Sequence, residues 1–205
     1  MNQLATVQSL RHRITAMQGV QLDDRALPTP APLRALLPYG ALRRGSVIAV
    51  EGSLQLALAL LSAASLSGAW CGAVGVPELG AEALAGLGVA LERFVVVPDA
   101  GAHALTVAGT LSEVLTVLVL QLAQAPQSAD AARLAARLRE RGTALITLGA
   151  WPGAESRLRV RETRWEGLER GYGRLAQQQL LVQSEDRRGT REHRVRFREG
   201  VPVAC

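Results

Sequence analysis

One stretch of this sequence carries the residue types of a phosphate site in the order that such a site needs. It runs from Gly45 through Val47, Ile48, Ala49, Val50 and Glu51, turns at Gly52 and Ser53, and continues as an Ala/Leu-rich helix to about Gly68. A strand, a glycine turn and a helix in that order aim backbone N–H groups and the positive end of a helix dipole at one point. The chemistry that completes such a site is G-x-x-x-x-G-K-[ST]. Its glycines let the backbone wrap the phosphates, its Lys meets the β/γ charge, and its hydroxyl binds Mg²⁺. Counted from Gly52, those last positions hold Ala57, Leu58 and Ala59, and no register shift helps because the chain contains no lysine. Gly52 and Ser53 therefore read as a degenerate nucleotide loop, with no cofactor and no phosphoryl chemistry expected.

Other candidate groups are weaker. Ser53, Asp99, His103 and Asp130 lack the spacing of a hydrolase triad, and His12, His103 and His193 are isolated, so no metal site is expected. Glu78 follows the second apolar run after a proline, where an acid in a helix first turn meets the dipole. Cys71 and Cys205 are far apart and unpatterned, which reads as a reduced protein without a disulfide.

Charge divides the chain. Residues 1–150 hold 11 Arg against 10 acids, whereas residues 151–205 hold 12 Arg against 8 acids. The later part is therefore a separate basic surface. Arg157, Arg159 and Arg161 alternate with Leu158 and Val160, and Arg194, Arg196 and Arg198 alternate with Val195 and Phe197. Together with Arg187, Arg188 and Arg191 they leave three readings open: a solvated strand face, contacts to DNA phosphates, or an acidic protein partner. Only Trp165, Tyr172 and Phe197 accompany them, so base stacking there is limited.

The elements that must hold these groups follow from period and punctuation. Leu4, Val7, Leu10 and Ile14 share one face of an amphipathic helix, a second candidate partner surface. Pro28, Pro30 and Pro32 stiffen a linker. Strands at about 45–51, 69–76, 93–97, 115–120 and 144–148 alternate with helices, including Pro77 to Leu87, Ala102 to Glu113 and Ser128 to Arg141. Apolar strands alternating with helices predict a mostly parallel sheet covered on both faces. From Arg157 the period becomes two, predicting antiparallel strands, with Glu162 on the side of Leu158 and Val160. The expected parts are a helix over 1–26, a linker over 27–40, a core over 41–184, and a basic arm over 185–205 polar enough to be partly ordered. The most apolar windows are interrupted by Gly, Ser, Thr or Glu, so no membrane span is expected, and the first twenty residues lack the order of a signal peptide.

The segments Leu42 to Gly52, Leu56 to Leu58, and Leu87 to Gly101 resemble the core of RecA-type recombinases, and more closely the ImuA-type RecA-like proteins in their actinobacterial ImuA′ form. The resemblance covers about residues 30–165. It implies a RecA-like three-layer αβα sandwich, α/β in class, with antiparallel strands near the C-terminus. It also implies a cytoplasmic, nucleoid-associated accessory role in damage-induced mutagenesis. The partners would be ImuB, an inactive Y-family polymerase homologue, and an error-prone C-family polymerase in the same complex. The family's Mg²⁺-organising Asp would end the fourth strand, where this chain has Leu120 and Gln121; Glu78 falls near the recombinase catalytic Glu. The loops that bind DNA in recombinases are cut short between Leu120 and Gln127. On these grounds the protein is expected to be a scaffold rather than an enzyme.

Overall fold

In the computed structural model, residues 24–169 and 172–204 are described. The helix expected around Leu4, Val7, Leu10 and Ile14 lies outside them. A nine-stranded sheet runs through the molecule. Its parallel strands are β3 (Val47–Glu51), β4 (Cys71–Val74), β5 (Phe94–Val97), β6 (Val117–Gln121) and β7 (Ala144–Leu148). In space they lie β5-β4-β6-β7-β3, and β8 (Ser156–Glu169) adds in parallel beside β3. β9 (Tyr172–Asp186), β10 (Gly189–Arg198) and β11 (Val201–Val203) then continue the sheet antiparallel to one another.

Two layers cover the parallel part. One face packs on α1 (Leu54–Leu66) and α2 (Ala81–Gly86); the other packs on α3 (Ala104–Leu111) and α4 (Ser128–Arg141). The central parallel strands are buried on both faces, which is why their sequences are unbroken apolar runs rather than alternating ones. α1 is buried at Leu56 through Ser62 and again at Ala64 and Ser65, so its whole circumference is covered. A helix apolar all round belongs in an interior.

The structure corrects several expectations. The proline-rich segment does not behave as a free linker. Ala26–Leu27 (β1) pairs with Leu42–Arg43 (β2), and Ala31–Leu36 forms a 3-10 helix that buries Leu33 and Leu36 completely. Thr29 fixes it: its hydroxyl donates to the Leu27 carbonyl and accepts from the Leu42 N–H, each at 2.9 Å. The helix expected from Pro77 begins only at Ala81, because Gly80 is extended (φ −91°, ψ 141°). The helix expected over Ala102 to Glu113 is shorter, preceded by a 3-10 turn at Gly101–His103.

The largest correction concerns residues 185–205. The described part, residues 185–204, is not a separate arm: β9 runs past the expected boundary to Asp186, and β10 pairs with it over its whole length. Val195 and Phe197 are 1% exposed and share a cluster with Leu33, Leu36, Leu56 and Leu60. A polar average hid two core residues at alternate positions. Deleting the Phe197 ring should therefore cost about 3–5 kcal/mol, as in other core Phe→Ala changes. Denaturant unfolding of Phe197→Ala tests this, with Arg196→Ala as the exposed control; equal midpoints for both would show that β10 does not belong to the core. A chain stopped after Ser184 should lose its cooperative transition.

Candidate functional site

At the carboxyl end of β3 the chain turns through Gly52 at φ 89°, a conformation that side chains rarely adopt. A Cβ there would only touch its neighbour, 3.4 Å from the Val160 Cβ and 3.6 Å from its carbonyl oxygen, so it is the backbone angle that calls for glycine. The β8 strand thus stands directly against the loop. Ser53, extended at φ −157°, caps α1, its hydroxyl accepting the Leu56 N–H at 3.1 Å. Gln55 donates to the Gly200 carbonyl at 3.4 Å, which ties the β10–β11 turn to the first turn of α1. The amide end that could meet an anion is occupied by its own serine cap and flanked by β8.

Glu51 ends β3 and is held by two arginines of β8. Arg159 Nε donates to Glu51 Oε2 at 2.8 Å, and Arg157 Nε lies 3.5 Å from Glu51 Oε1. Arg157 also pairs with Glu185 at 3.6 Å. Gln121 ends β6 with its backbone carbonyl pressed against Gly75, closer than any Cβ at that position would allow. Glu78 is exposed in the turn before α2, and His103 is exposed before α3. Among the described residues no group of three or more His, Cys, Asp or Glu could hold a metal. No helix among them is long and apolar enough to cross a membrane.

The basic residues separate into two sets. Arg188 and Arg191 are structural. Both donate to the Asp186 carboxylate, whose side chain is 1% exposed, at 3.1 and 2.6 Å. Arg188 also reaches the Leu37 carbonyl at 3.3 Å, clamping β9 to the 3-10 segment. Burial works to raise the Asp186 carboxyl; the side-chain and backbone hydrogen bonds from Arg188, with the charges of Arg188 and Arg191, outweigh it and hold it below the ordinary aspartate range.

The second set lies on one uncovered face of β8–β10. Strand register places Arg164 of β8, Gln179 of β9 and Arg196 of β10 in one row, with Glu162, Leu181 and Arg194 in the next and Glu166, Gln177 and Arg198 beyond. Glu162, Arg164, Gln179, Leu181 and Arg194 line a shallow groove of about 260 Å³. Arg161 donates to Gln183 Oε1 at 3.0 and 2.6 Å. A bulge between Val160 and Glu162 turns Glu162 onto this face, against the expected side, because the extra residue flips the alternation. Residues read as two candidate sites, Arg157 to Arg161 and Arg194 to Arg198, therefore share one surface. Arg164 also belongs to it, and nothing in the sequence marked it, because unbroken alternation from Arg161 would put it on the opposite face.

A family model for the MT3502 N-terminal domain matches residues 35–153, more than half of the chain. The chain belongs to the MT3502 family. An uncharacterized protein of Mycobacterium tuberculosis (strain ATCC 25618 / H37Rv), Rv3395c, is 31% identical over 153 residues, covering 73% of this chain and 75% of that one. The crystal structure of the RadB recombinase superposes with a TM-score of 0.58 over 85% of this chain and 96% of that one, at 16% identity. That likeness shows a RecA-like fold. The match to the MT3502 N-terminal domain ends just before β8, so the open arginine face lies beyond the matched segment.

The Asp186 clamp has a pH signature. A carboxyl depressed in the folded state contributes stability that is present above its unfolded value of about 3.9 and lost as pH falls toward the folded one. Asp186→Asn should lower the urea midpoint at neutral pH and lose less than the native chain does below about pH 4. Parallel acid limbs for the two proteins would show that Asp186 does not titrate with unfolding.

Proposed function

We propose that this protein is a non-catalytic RecA-like accessory protein of a damage-induced translesion-synthesis complex, an ImuA′-type member of its family. It binds an ImuB-type inactive polymerase homologue and, through it, an error-prone C-family polymerase. One observation carries the non-catalytic part. Where a phosphate-binding loop would present a lysine and a hydroxyl, α1 continues as Ala57, Leu58 and Ala59, all buried. The acid at the end of β3 is meanwhile spent on Arg157 and Arg159. The sequence resemblance of Leu42 to Gly52 and Leu87 to Gly101 supports the placement in a mutagenesis complex.

The scaffold role needs a docking surface, and the open face of β8–β10 supplies one for an acidic segment of the partner. Arg194, Arg196 and Arg198 project there from a strand whose other side is anchored in the core by Val195 and Phe197. A second reading uses the same arginines on DNA phosphates; their rows alternate with glutamines, which also donate to phosphate oxygens.

The combined change Arg194→Ala, Arg196→Ala and Arg198→Ala should abolish capture of the ImuB-type partner while the melting temperature stays unchanged. Full capture by that folded variant would remove this face from the interface. Magnesium-ATP should neither be hydrolysed nor raise the melting temperature; a rise that grows with ATP concentration would overturn the non-catalytic reading.

A further inference from the structure

Beyond this face, the structure holds a cleft of about 780 Å³ at the opposite, amino-terminal end of β3. Seven arginines line it against four acids. The sequence makes this cluster with two left-handed glycines. Gly45 (φ 76°) lets the turn before β3 lie on α4; a Cβ there would be 2.9 Å from the Arg139 Cα. Gly142 (φ 72°) ends α4 beneath Arg44, whose Cδ would lie 3.8 Å from a Cβ at that position. Two Arg-Gly turns, distant in sequence, are thereby pressed together with Arg44 and Arg139 both exposed. Arg187 joins them from the β9–β10 turn.

The acids of the cleft do not neutralise these three. Asp186 is taken by Arg188 and Arg191, Glu185 lies 3.6 Å from Arg157, and Glu155 reaches Arg43 at 3.9 Å. Glu140 is the remaining acid of the lining. Among the described residues Arg44, Arg139 and Arg187 form no ion pair. Like charges held together in a cleft focus a positive potential and draw in a polyanion. At the rim, Arg43 lies 4.5 Å from the centre of the Tyr39 ring, its Nε buried without a hydrogen-bond partner. Tyr39 is 51% exposed, so the ring also presents surface to solvent. A backed aromatic ring beside a row of guanidinium groups matches an unpaired base and its flanking phosphates, since bases stack on aromatic faces and phosphates take arginine.

We propose that this cleft binds a short stretch of single-stranded nucleic acid, with Arg44, Arg139 and Arg187 on phosphates and Tyr39 under a base. The cleft adjoins the β8–β10 face at Arg157 and Glu185, but the three arginines assigned to phosphates lie outside the rows of that face, and the proposal does not depend on the scaffold reading.

The test is fluorescence anisotropy with a short labelled oligothymidylate. Arg44→Gln combined with Arg139→Gln should weaken binding at least tenfold and flatten the salt dependence by about 0.7 in log–log slope per lost contact. Tyr39→Ala should lose about tenfold while Tyr39→Phe keeps the native affinity. Melting temperatures establish that each variant is folded, and partner capture by the cleft variants should stay intact, which separates this result from that of the scaffold reading. Undiminished binding by the folded double glutamine variant would overturn the proposal. So would loss of binding only in the sheet-face triple variant, equal affinity for duplex, or displacement of the oligonucleotide by polyglutamate at equal charge concentration.

Discussion

The constraint on which the rest depends is the burial of α1 on every side. Its residues from Leu56 to Ser62 leave no polar stripe to face water. The parallel sheet covers only one flank. The remainder must be closed by whatever else the chain can supply, at roughly 25 cal/mol for each Å² of apolar surface removed from water. Leu33 and Leu36 from the 3-10 segment, Leu84 and Leu87 from the α2 region, and Val195 and Phe197 from β10 share its cluster. Segments that look peripheral in sequence are therefore parts of one core. The proline-rich stretch and the arginine-rich tail are both drawn in by it.

The same constraint bears on the nucleotide loop. A phosphate-binding helix keeps its first turn open to solvent and charged. Here the corresponding positions, Ala57, Leu58 and Ala59, fall further along the helix and are buried. Val160 stands against Gly52, and Gln55 is bonded to the Gly200 carbonyl. Introducing a lysine at Leu58 would bury a charge among apolar neighbours, which costs far more than a surface substitution does. The loss of phosphate chemistry and the closing of β8 and β10 over α1 are two aspects of one packing arrangement.

The parallel half of the fold was legible because strands buried on both faces must be written as apolar runs, and Val117 to Leu120 or Ala144 to Leu148 read only that way. The antiparallel half was legible in period but not in consequence. Arg194 to Arg198 showed the alternation, yet net polarity obscured that Val195 and Phe197 complete the interior. The bulge at Arg161 was invisible, because a period-two reading carries no mark of an inserted residue, and it put Glu162 on the wrong side. At the degenerate loop, Gly52 and Ser53 were readable from type and spacing alone. The β8–β10 face was readable only in pieces, since the joining of Arg164 to Arg196 across Gln179 is a matter of register. The amino-terminal cleft was not readable at all: Arg44 and Arg139 meet only because Gly45 and Gly142 fold their turns together.

In a chain without lysine, arginine must serve several purposes, and its partners separate them. Arg188 and Arg191, both partly exposed, converge on the Asp186 carboxylate and cover it, so their charge is used within the fold. Arg137 pairs with Glu113 at 2.6 Å where both side chains are more than 40% exposed, and such a pair adds little to stability. Arg157 and Arg159 sit between these cases, half-exposed and bound to Glu51. Only arginines beyond these pairings can give their charge to a partner without first breaking a contact of the fold. That rule separates Arg44, Arg139 and Arg187 in the cleft, and Arg196 and Arg198 on the sheet, from their neighbours in sequence. The basic surplus is thus concentrated at the two ends of the β8–β10 extension. The RecA-like core holds these surfaces at a fixed spacing.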